Sequence, residues 1–121
     1  MNEKLPLKTV KPWGYELLFA HTDKYAGKVM FVKKGARLSL QYHEKKDETM
    51  YVFQGKLSLE IEQDGMMVKS VVSTGGRIPV TPPTKHRVTA IEDTFIFEVS
   101  TPELEDVVRL SDDYGRAPKQ G

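Results

Sequence analysis

Apolar and polar residues take turns along Lys56-Leu57-Ser58-Leu59-Glu60-Ile61-Glu62, the two-residue period of a strand with one face in a core and the other in water. Asp64-Gly65 follows, a pair suited to the positive φ angles of a two-residue hairpin turn, and 66–72 supplies the returning strand. Strand-like runs recur at 15–20, 28–33, 38–42, 49–53, 77–80, 86–91 and 94–100, separated by Gly, Pro or Asp clusters, which predicts an all-β sandwich or barrel. Only Pro102-Glu103-Leu104-Glu105-Asp106-Val107-Val108 has a pattern that opens a short C-terminal helix. The polar ends, 1–10 and 117–121, are expected to be loose unless they dock on the barrel or on another subunit.

A length of 121 residues suits one domain that buries a core without staples. The absence of cysteine removes disulfides, thiolate metal sites and thiol nucleophiles. A net charge of +1, with Lys and Arg interspersed among Asp and Glu, provides no basic field for a phosphate backbone, so nucleic acid is not an expected partner. The start, MNEKLPLKTVKPWGYE, lacks the apolar stretch of a secretion signal, and no apolar run approaches the roughly 20 residues that cross a bilayer. A cytoplasmic protein with no membrane contact is expected.

Ligand-type side chains cluster in Gln41-Tyr42-His43-Glu44-Lys45-Lys46-Asp47-Glu48. Gln41 and His43 are two apart and leave an extended chain on the same face, while Glu48 opens the next apolar run. Gly35 and Gly55 bracket this unit; Gly75 and Thr81-Pro82-Pro83-Thr84-Lys85-His86 form a second. The two units resemble the two cupin motifs, with Gln41 in place of the first motif's leading histidine and Thr81 and Pro83 in place of the second motif's proline and glycine. That resemblance implies an all-β cupin double-stranded β-helix, a jelly-roll barrel. It implies a single cupin domain over 1–121, with its core at about 13–100, an N-terminal arm and a C-terminal tail packing on it. It also implies one divalent metal ion held by Gln41, His43, Glu48 and His86. Imidazole and carboxylate suit Zn, Mn, Fe, Co or Ni, and the amide of Gln41 adds no charge, which keeps the ion electrophilic. His21, in the polar stretch His21-Thr22-Asp23-Lys24, reads as a surface residue.

Three further stretches, Lys11-Pro12-Trp13-Gly14-Tyr15-Glu16, Arg37-Leu38-Ser39-Leu40-Gln41-Tyr42-His43 and 106–116, resemble type II mannose-6-phosphate isomerases over nearly the whole chain. In bifunctional members a mannose-1-phosphate guanylyltransferase domain precedes the cupin; this chain corresponds to the isomerase part alone. It departs from the family at Thr49 and Met50, where a histidine and a tryptophan are usual, and at Lys46, where an arginine is usual. Val88-Thr89-Ala90 lacks the family's acid and asparagine.

The resemblance implies aldose–ketose interconversion of a sugar phosphate, in which metal binds two neighbouring oxygens and a base carries a proton between their carbons. The expected catalytic set is Glu48, Lys46 and Arg87, with Lys46, Glu44 or a group of the tail open as the base. Arg37, Arg87 and Arg109 are expected to bind the substrate's phosphate. Two other functions fit the same residues: a non-haem iron oxygenase using His43, Glu48 and His86, and a non-catalytic metal-cupin that binds a sugar or sugar phosphate. A homodimer is expected, because Val10 to Trp13 and the sets Leu57, Leu59, Ile61 and Phe95, Phe97, Val99 exceed what one short sandwich needs.

Overall fold

A computed structural model describes residues 4–117, which hold eleven strands and no helix. They are β1 (Leu7–Lys11), β2 (Gly14–His21), β3 (Ala26–Val32), β4 (Leu40–Tyr42), β5 (Glu48–Gln54), β6 (Lys56–Gln63), β7 (Met66–Ser73), β8 (Arg77–Val80), β9 (His86–Ala90), β10 (Thr94–Ser100) and β11 (Val108–Ser111). One sheet runs β1-β2-β3-β10-β5-β8 and the other β11-β4-β9-β6-β7, with antiparallel neighbours throughout, and together they form the jelly-roll barrel. The β6–β7 hairpin is the one the alternation predicted, and its turn residues Asp64 and Gly65 take φ of 52° and 77°. Trp13, Met30, Val52, Leu57, Ile78 and Ile96 are among the side chains that meet between the sheets.

Several expectations need correction. Leu57 and Leu59, counted towards a subunit interface, are buried in this core. Of the end 1–10, expected to be loose unless it docks on the barrel or on another subunit, 7–10 docks on the barrel by pairing with β2, and 108–111 adds β11 to the edge of β4. Residues 1–3 and 118–121 of the expected loose ends lie outside the described residues.

No helix forms at 102–108. The segment runs through tight turns, with the Leu104 N–H donating to the Pro102 carbonyl and the Asp106 N–H to that of Glu103. The Asp106 carboxylate accepts the backbone N–H groups of Glu44, Lys45 and Lys46, which holds this stretch as a strap across the 44–46 turn. His21, read as a surface residue, ends β2 half-buried, with Nε2 3.2 Å from the Pro102 carbonyl at the start of the strap.

Candidate metal centre

Alternation along β4 and its approach sends Ser39, Gln41 and His43 to the interior. Gln41 pairs in register with His86 of β9, and Glu48 opens β5 on the facing sheet. His43, Glu48 and His86 are all buried, and one ligand atom from each lies within 4.8 Å of the others. Each imidazole is oriented by a backbone carbonyl. His43 Nδ1–H donates to Asp106 O at 2.6 Å and His86 Nδ1–H to Thr84 O at 3.0 Å, which leaves both Nε2 lone pairs to the interior, the arrangement metal-ligating histidines use. His43 Nε2 stands 2.6 Å from Glu48 Oε1, yet Oε1 is a buried acceptor without a hydrogen-bond donor. A buried carboxylate close to two imidazoles is a donor set that suits a divalent cation.

Charge is concentrated around these ligands. Lys46 leaves the 44–46 turn inward, its Nζ 3.2 Å from Glu98 Oε2 and 3.6 Å from Glu48 Oε1, and all three side chains are buried. Burial and the neighbouring Glu48 charge push the Glu98 carboxyl up to about 7. Burial also opposes ionisation of Glu48, but His43, Lys46 and Glu98 outweigh it and hold Glu48 well below the usual carboxylate range. His86 is pushed down by burial, whereas at His43 the Glu48 carboxylate overcomes burial and raises the pKa. The surrounding cavity, about 130 Å³, is lined by Met30, Met50 and Val88 as well as by Lys11, Glu16, Lys28, Arg109 and Arg116.

Residues 2–112 match the family described as Mannose-6-phosphate isomerase C-terminal. The chain belongs to this family. No match is found among curated proteins. Among solved structures, KdgF from Halomonas sp. is 26% identical, with a TM-score of 0.68 over 78% of this chain and 84% of that one. Oxalate decarboxylase from Bacillus subtilis superposes with a TM-score of 0.80 at 19% identity, covering 94% of this chain and 32% of that one. The capsular polysaccharide assembling protein CapF from Staphylococcus aureus gives 0.71 at 20%, covering 87% and 34%. This chain thus spans about a third of the length of the last two, which bear on its cupin fold alone.

Of the residues that the likeness to mannose-6-phosphate isomerases singled out, Gln41, His43, Lys46, Glu48, His86 and Arg109 line the cavity. Arg37 and Arg87 do not. His86 and Val88 face inward, so Arg87 between them leaves β9 on the opposite face, where Nε donates to Leu38 O at 2.9 Å and the guanidinium approaches Asp113 at 3.7 Å. Arg37 holds the same Asp113 through two hydrogen bonds of 2.6 and 2.7 Å. These two arginines fasten the C-terminal segment to the barrel, and the expected contact of Arg37 and Arg87 with substrate gives way to that anchoring.

Sequence reasoning missed Glu98. In Thr94-Phe95-Ile96-Phe97-Glu98-Val99-Ser100 it shares a face with Thr94, Ile96 and Ser100, and a glutamate two residues from an inward isoleucine was the available signal.

Proposed function

We propose that this cavity interconverts the aldose and ketose forms of a sugar phosphate, with Gln41, His43, Glu48 and His86 holding one divalent ion. The observation that carries the reading is the buried Lys46–Glu98 pair beside Glu48, an acid and a base kept out of water next to the ligand set. A divalent ion there supplies Lewis acidity toward two neighbouring oxygens of the sugar. Glu98, whose pKa of about 7 suits proton transfer near neutrality, takes the proton from carbon 2 of the aldose and returns it to carbon 1. Lys46 gives a proton to the carbon 1 oxygen as it gains charge and regains one from the carbon 2 hydroxyl as that oxygen becomes the carbonyl. Leu104 and Val107 of the strap, together with Met30 and Met50, shield the exchange from solvent.

The test begins with elemental analysis of the purified protein. Aldose phosphates are then incubated in deuterated water with the identified metal restored, and hydrogen exchange at carbon 2 is followed by NMR. Wild-type protein exchanges that hydrogen, and Glu98→Gln slows exchange by roughly 100-fold or more with metal content unchanged. Fully metallated wild type that leaves the hydrogen in place for every sugar phosphate overturns the reading. The convergence of His43, Glu48 and His86 also favours a second reading, a non-haem iron oxygenase, and bound iron with substrate-dependent oxygen uptake selects it.

A further inference from the structure

We infer that Asp106 is a positioning residue for the metal centre, and that metal binding at His43 and closure of the 102–107 strap reinforce each other. The inference rests on the proposed metal ligation by His43 but not on the sugar chemistry.

The two histidines are held in different ways. The His86 ring donates to Thr84 O, two residues away, so its orientation is set as soon as the start of β9 forms. The His43 ring donates at 2.6 Å to Asp106 O, 63 positions further along the chain, and that carbonyl is in place only while the strap lies across the 44–46 turn. Residues 102–107 belong to no strand, so no sheet ladder holds them there. Their hold on the turn is polar. The Asp106 carboxylate accepts the N–H groups of Glu44 at 3.1 Å, Lys45 at 2.7 Å and Lys46 at 2.8 Å. Next to them the Asp47 N–H donates to Thr101 Oγ1 at 3.0 Å, and the Thr101 N–H returns a bond to Asp47 O at 2.9 Å. The consecutive residues 43–47 are thus fastened to 101–106, chiefly through Asp106. Leu104 and Val107 line the cavity, so the segment that orients His43 also covers the site.

A divalent ion on His43 Nε2 withdraws charge from the imidazole and makes Nδ1–H a stronger donor, which tightens its bond to Asp106 O. In return, the carbonyl fixes the tautomer that leaves Nε2 free and raises its basicity toward metal. Such a coupling is reciprocal. The factor by which strap closure improves metal affinity is the factor by which bound metal disfavours strap opening. The same turn carries Lys46 inward to Glu48 and Glu98, so the strap also presents the cation that faces both carboxylates.

Two measurements on the whole chain give that factor independently. In chelator competition with Zn²⁺ and Mn²⁺, Asp106→Ala, which keeps the carbonyl but loses its anchor, lowers metal affinity by roughly 10- to 100-fold, the range for losing a ligand's hydrogen-bond partner. Asp106→Asn, which keeps one acceptor oxygen, falls between wild type and Asp106→Ala. Arg37→Ala, which frees Asp113 on the outside of the barrel instead, keeps wild-type affinity and separates general loosening of the C-terminal segment from loss of the strap. In wild type, amide hydrogen exchange at Lys45 and Lys46, followed by NMR, slows on saturation with metal by the factor that Asp106→Ala loses. That measurement needs no variant and decides the matter if Asp106→Ala folds poorly. Unchanged metal affinity in a folded Asp106→Ala, an equal loss in Arg37→Ala, or exchange at Lys45 and Lys46 that ignores metal overturns the coupling. Wild type that binds no metal removes the metal centre and the coupling together. Strap-dependent metal binding without hydrogen exchange at carbon 2 leaves the coupling standing and removes the isomerase.

Discussion

Strands β5 and β10 present opposite faces that reverse the usual distribution of charge and oil. Their inner faces bury Glu48 and Glu98 alongside Met50, Val52 and Ile96, while their outer faces expose Tyr51, Phe53, Phe97 and Val99, with Phe53 54% and Val99 59% accessible. The outer aromatics continue across the sheet, where Tyr15 stacks on Phe31 at 5.4 Å, Phe31 meets Phe95 at 4.9 Å, and Phe53 meets Phe97 edge-on at 5.2 Å. Buried carboxylates are costly, and a hydrophobic replacement of similar volume is often more stable, so stability alone does not account for the inner face. The metal centre and proton carrier proposed above would account for it. A contiguous apolar surface on a small domain marks a contact face, and we propose that a second copy of the chain covers it in a homodimer.

The largest effect falls on the inner face. His43→Ala and His86→Ala each remove one of three converging ligand atoms, and metal affinity drops by more than the roughly 100-fold typical of losing an outer-shell partner. Competition with a chromophoric chelator measures this, and stoichiometric metal in either folded variant means the ligands are misassigned. Next comes Lys46→Met, which strips the cation from two buried carboxylates and destabilises the metal-free protein by about 3–5 kcal/mol in urea unfolding. Adding Glu98→Gln to that variant restores part of the loss; a full loss in the double variant breaks the argument that Lys46 compensates Glu98.

On the outer face, Phe53→Lys and Phe97→Lys are expected to turn the homodimer into monomers in sedimentation at micromolar concentration while metal binding is retained. A wild-type monomer under those conditions ends the homodimer proposal. Metal loss in the same variants would mean that the two faces are not independent.

The contrast also explains what the sequence revealed. The Asp64-Gly65 hairpin and the strand runs were legible because two-residue alternation and turn chemistry are local properties. His43, Glu48 and His86 were legible because ligand chemistry at cupin-like spacing survives without knowledge of the fold. Glu98 was not, since β10 offers two faces and the aromatic one looks like the core; nothing local says that Phe97 points outward. Arg87 was misplaced for the complementary reason, because its position beside His86 in sequence puts it on the opposite face of the strand. The strap at 102–107 was unreadable because its conformation is set by hydrogen bonds that Asp106 accepts from residues some 60 positions earlier.

The smallest expected effect is a pH dependence that isolates Glu98. Its folded pKa of about 7 lies above the ordinary value of about 4.3, so between those limits the folded protein holds a proton that the unfolded chain has released. Stability of the metal-free protein through Glu98 therefore falls as pH rises across that window. His43, raised by Glu48, acts in the same direction near and above its ordinary value, whereas His86, lowered by burial, opposes it below about 6.5. Glu48, held low, contributes stability that is already present above about 4.3 and is lost only as pH falls further. The melting temperature of metal-free wild type is thus expected to drop by several degrees from pH 5 to pH 8. Glu98→Gln, neutral throughout, should show a much flatter profile. Metal loading should reverse the wild-type slope, because protons compete with metal for the ligands. Parallel profiles for metal-free wild type and Glu98→Gln would show that Glu98 is already ionised in the folded barrel at pH 5, and the base assigned to the isomerase would lose its pKa argument.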